Sequence, residues 1–86
     1  MQKDKETEDV KKEIKATIST LNTIRGKLEA RRAWMQNRAK RFDTMRDMTP
    51  TDEAEADALA MMEEYIGDQI DAIDRAEMLL EGILKQ

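Results

Sequence analysis

A single proline, Pro50, splits the chain into two long runs of helix formers, and the residues around it spell out a helix start. Thr49 can cap the helix and Pro50 can take its first position, where a missing N–H costs nothing. Asp52, three residues after the cap, can close a capping box. Asp52, Glu53 and Glu55 then set negative charge at the positive end of the helix dipole. The expected layout is a first helix to about residue 48, a turn over 48–51 and a second helix over about 50–85.

Both runs carry residues spaced alternately four and three apart. In the first they are Val10, Ile14, Thr17, Leu21, Ile24, Leu28, Arg31, Met35, Arg38, Phe42 and Met45. In the second they are Leu59, Met62, Ile66, Gln69, Ile73, Ala76, Leu80 and Ile83. This heptad spacing predicts coiled-coil-like helices rather than strands. A short turn between two rods makes them antiparallel neighbours, so facing positions carry numbers that add to about 100. Phe42 then meets Leu59, Met35 meets Ile66, Leu28 meets Ile73 and Leu21 meets Leu80. Arg31 falls opposite Gln69, a polar layer that would fix register at some cost in stability. Residues 1–13 have nothing opposite them and are expected to form a charged, partly frayed extension. The stretch ATISTLNTIRG holds β-branched residues, Asn22 and Gly26, which lower helix propensity; an alternative layout breaks the first helix within 17–26.

One antiparallel pair buries a single seam, which is little for 86 residues. Flanking positions supply more apolar surface. Ala58, Tyr65, Ala72 and Leu79 lie to one side of the second seam, with Trp34, Met48 and Thr20 beside the first. Ile18, Ile70 and Leu84 lie on the other side. The fold class expected is therefore all-α, an antiparallel two-helix hairpin that doubles into a four-helix bundle as a homodimer.

Composition removes several chemistries. The chain has no Cys and no His, hence no disulfide, no thiol nucleophile, no imidazole base and none of the usual zinc ligands. Its three Gly form no phosphate-cradling loop. No long apolar run suggests a membrane span, and MQKDKETEDVKKE is charged throughout, which leads to the expectation of a cytoplasmic protein without membrane partners. Neither an enzyme nor a cofactor or small-molecule substrate is expected. Glu64, Asp68 and Asp71 form one row on one helix, whereas a metal site needs ligands that converge, so this row is expected to be a solvated face.

The charges are unevenly placed. Residues 25–50 hold eight Lys/Arg and three Asp/Glu, net +5, whereas residues 51–86 hold two and eleven, net −9. The basic stretch RGKLEARRAWMQNRAKR resembles a phosphate-binding helix in composition alone. The hairpin register, however, lays it along the second helix's carboxylates, with Arg25 approaching Glu77, and phosphate would have to compete with them. The leading functional expectation is a non-catalytic protein–protein interaction module, acting as an adaptor, small chaperone or inhibitor, with itself and another protein as partners. A nucleic-acid-binding hairpin using residues 25–41 is the alternative; an acidic mimic of DNA or a structural assembly subunit comes after it. The candidate partner-binding residues are Trp34, Tyr65, Arg32, Lys40, Arg41 and Met48, since Trp and Arg are enriched at binding hot spots and Met adapts its shape. Arg31 and Gln69 are the candidate register-setting layer.

Overall fold

The computed structural model describes residues 2–86, with side chains from Lys5 onward. Helix α1 spans Gln2–Asp43 and helix α2 spans Pro50–Leu84. They fold back on each other as an antiparallel hairpin, a rod of 71 × 16 × 15 Å. Among the described residues there is no strand, and no helix is long and apolar enough to cross a membrane.

α1 runs without a break through residues 17–26. The threonines there donate their hydroxyls to carbonyls one turn back: Thr17 to Glu13 at 2.9 Å, Thr20 to Ala16 at 3.0 Å and Thr23 to Ser19 at 3.1 Å. A side chain bonded in this way adds to the helix ladder instead of offering the backbone a rival partner. α1 is also helical already at Gln2. Since Arg25 lies across from Glu77, its first dozen or so residues project past the end of α2, an overhang of about 20 Å at 1.5 Å per residue.

The turn is longer than expected. α1 ends at Asp43, so residues 44–49 form the connection. Asp43 and Thr44 are poor helix formers, and Thr44 Oγ1 donates back to the carbonyl of Arg41 at 3.4 Å while Met45 N donates to that of Phe42 at 3.3 Å. The freed segment folds Met45 and Met48 against the core. At the start of α2 the expected cap is present in full: Asp52 N donates to Thr49 Oγ1 and Thr49 N donates to the Asp52 carboxylate, both at 3.1 Å.

The buried apolar cluster consists of Met35, Phe42, Leu59, Ile66 and Ile70, and Leu28, Ala39 and Ala56 pack around it. The pairs Met35 with Ile66 and Phe42 with Leu59 thus lie where the register puts them. Half of each expected seam, however, is displaced by one residue. In heptad letters abcdefg, position d is Ile14, Leu21, Leu28, Met35 and Phe42 on α1, and Leu59, Ile66, Ile73 and Leu80 on α2. All of these are buried or half-buried. The second seam position is a, comprising Ile18, Arg25, Arg32 and Ala39 with Glu63, Ile70, Glu77 and Leu84. The expected Thr17, Ile24, Arg31 and Arg38 are exposed g positions, as are Met62 and Ile83. Two physical reasons favour this choice. Ile18, Ala39 and Ile70 are apolar where their g neighbours Thr17, Arg38 and Gln69 are not, and the charged a residues, Arg25 with Glu77 and Arg32 with Glu63, satisfy one another across the helices.

Candidate interaction surface

In an antiparallel pair the g positions of both helices flank one side of the seam and the e positions the other. The ion pairs establish this directly. Arg38 Nε and Glu55 Oε1, both g, meet at 2.8 Å. On the opposite side, Arg25 Nε at an a position lies 3.4 Å from the e residue Asp74, and Gln36 at e donates to Glu63 at 2.8 Å. Near the free end of the hairpin, Val10 and Ile83, again both g, line one shallow depression with Ile14 between them.

The two sides differ in chemistry. On the g side, together with the adjoining c positions, α1 presents Val10, Ile24 and Trp34, and α2 presents Met62, Tyr65, Leu79 and Ile83. All seven are exposed, Trp34 at 54%, Tyr65 at 65% and Leu79 at 72%. Ala58 and Ala72 lie among them on α2, exposed, with half-buried Gln69 and Ala76 beside them. The only charged residue at a c or g position between 51 and 86 is Glu55. Lys27, Arg31, Arg38 and Arg41 rim the same face on α1. The e side is polar: Arg32, Glu63, Glu64, Gly67, Asp68 and Asp71 line an open trough there.

The buried polar contact is between Arg25 and Glu77, which are hydrogen-bonded across the seam. This bond, and then the nearby charges of Glu77 and Asp74, raise the Arg25 pKa above its ordinary value against the opposing effect of burial. Arg25 Nε and Glu77 Oε1 are buried atoms with no hydrogen-bond partner among the described residues. Arg31 is exposed and Gln69 half-buried, so the charged layer within the seam lies about two turns away from the pair expected to supply one.

The candidate contact residues separate in the same way. Trp34, Tyr65 and Arg41 share the apolar face; Arg41 also lies over the Phe42 ring, 5.3 Å from its centroid. Arg32, at a seam position but exposed, has its Nε 3.8 Å from Glu63, and Lys40, an exposed b position, lies toward the polar side. Met48 packs against the core. Val10, Ile24, Met62 and Ile83, which the heptad spacing alone assigns to the seam, join the exposed face instead. The signal for them was the second four–three alternation, offset from the first by one residue. Among the described residues, no three carboxylates converge closely enough to hold a metal ion; Asp68, Asp71 and Asp74 line a depression that also contains Arg75.

The chain matches no protein-family model, no curated protein and no solved structure.

Proposed function

We propose that this chain is a non-catalytic docking module, of the adaptor or inhibitor kind, that engages protein through the c/g face of its hairpin. The observation that carries the reading is that seven of the nine large exposed apolar side chains among the described residues share that one face, Met61 and Met78 alone lying off it. Scattered apolar residues are ordinary on protein surfaces, but a contiguous stripe rimmed by charge marks an interaction site. Trp34 and Tyr65 sit at nearly one level along the rod: each is one residue before a member of the core pair Met35 and Ile66, which in antiparallel helices offsets them by only about 3 Å. An aromatic pair ringed by Arg31, Arg38 and Arg41 has the composition of a binding hot spot.

Protein is favoured over nucleic acid because α2 already occupies much of the basic stretch. Arg25, Arg32 and Arg38 are each held by carboxylates of α2, and a polyanion would have to displace them within the field of eleven acids.

A photo-crosslinking residue placed at Tyr65, compared with one at Asp71 on the polar side, tests the reading in the cell of origin. Protein adducts from position 65 and not from 71 are expected. Equal yields from the two positions, or none from 65, would overturn it.

A further inference from the structure

We infer that the occupant of the c/g face is a second copy of the chain, stacked face to face so that both turns lie at the same end and α1 of each copy runs along α2 of the other. This inference rests on the docking reading above and specifies its partner.

The first support is where burial stops. All five buried apolar residues lie in the half of the rod nearer the turn or close to its middle. Towards the free end, Ile14, Ile18, Leu21, Ile73, Leu80 and Leu84 are only half-buried, and beside them Ile24, Leu79 and Ile83 are exposed. A two-helix rod has no third element to cover this end, whereas an identical apolar face of the same length and width covers all of it. Ala58, Ala72 and Ala76 leave room for a helix to approach along α2.

The second support is charge, which chooses between the two ways of stacking identical faces about a two-fold axis. Turns at opposite ends would lay each α1 on the other α1 and each α2 on the other α2. Lys27 and Arg31, near the middle of the paired part of the rod, would then lie close to their own copies, on a face of α1 with no acid at a c or g position between Thr17 and Arg41. Turns at the same end instead set that basic rim against α2 of the second copy. From Glu55 to Ile83 its c and g positions are apolar apart from Glu55 and Gln69, and Glu55 is the one acid on the stripe. Unlike charges select orientation in helix bundles, and like charges forbid it. The same arrangement brings Trp34 opposite Tyr65 of the second copy, and it does so twice across the two-fold.

The absence of Cys allows a clean test. Thr44→Cys, at an exposed turn position, is spin-labelled and the interlabel distance measured by pulsed EPR, alongside sedimentation equilibrium over a wide concentration range. A species of twice the 10.0 kDa chain mass is expected, with labels about 20 to 30 Å apart, given helix spacings of 8–10 Å in a bundle. Distances approaching the 71 Å length of the rod would mean turns at opposite ends and would overturn the inference, as would a monomer at every concentration. Leu79→Glu and Tyr65→Glu alter exposed positions outside the hairpin core and are expected to weaken association at least 100-fold; wild-type association in both would also overturn it. Adducts from position 65 with a different protein, combined with monomeric sedimentation, would defeat the second copy and leave the docking reading standing. No adduct from position 65 would defeat both.

Discussion

Arg25 donates a hydrogen bond to Glu77 across the hairpin, joining two residues 52 positions apart in sequence. The bond sits in the seam, where an apolar pair would otherwise pack. A charged pair in this setting costs desolvation, and removing one member leaves the other without its partner. Arg25→Leu and Glu77→Leu are each expected to lower the thermal midpoint by about 5 °C or more in a chain of this size. The double variant should recover most of the loss, since two apolar residues can pack where the ion pair was. A double-mutant cycle by thermal denaturation checks this, and additive losses would show that the pair is not coupled. On the Arg25 side the contribution does not vanish near neutrality. Its folded pKa is raised, so its stabilisation is present at lower pH and is lost only as pH climbs through that raised value.

The cap of α2 offers a more local prediction. Thr49 and Asp52 satisfy each other's backbone N–H groups, and neither bond depends on packing. Thr49→Ala should cost about 1 kcal/mol, measured as a shift in urea midpoint at unchanged slope. Thr49→Ser should be close to neutral, because the hydroxyl is retained.

The cap was legible because it is written in four adjacent residues and involves only local geometry. The antiparallel register was legible for a related reason: one short turn fixes it, so Met35 and Ile66 had to meet. The phase of the seam was not legible. Thr17, Ile24, Arg31 and Arg38 repeat with the same four–three alternation as Ile18, Arg25, Arg32 and Ala39, so spacing cannot distinguish the two rows. What distinguishes them is partnership between helices. Arg25 is tolerable in a seam only because Glu77 lies opposite, and Ile70 and Leu84 enter the core only because α1 leaves room for them. The rotation of the seam also sends Ile24, Met62 and Ile83 outward, and so decides which face of the rod is apolar.

Gly26 and Gly82 are helical residues with nothing within 4 Å of the position a Cβ would take. Both lie away from the apolar face, at b and f. Gly26→Ala and Gly82→Ala should therefore each stabilise the hairpin by about 0.5 to 1 kcal/mol. They are far apart along the rod, so their effects should add. Association should be unchanged in the double variant; weakened association would show that another helix approaches one of these glycines.

Trp34 is the only tryptophan in the chain, and it is 54% exposed on the apolar face. Its fluorescence therefore reports that face alone. In dilute solution the emission should be that of a solvated indole, and it should move to the blue as the face is covered at higher concentration. Trp34→Ala removes little from the hairpin's own core, so it should weaken association much more than it alters the helicity of the separated chain. A hot-spot loss of 2 kcal/mol or more corresponds to roughly a 30-fold rise in Kd. Sedimentation equilibrium on Trp34→Ala, with Trp34→Phe as the conservative control, measures that rise. Equal Kd values for wild type and Trp34→Ala would place the energetic centre of the interface elsewhere on the stripe, toward Leu79 and Ile83.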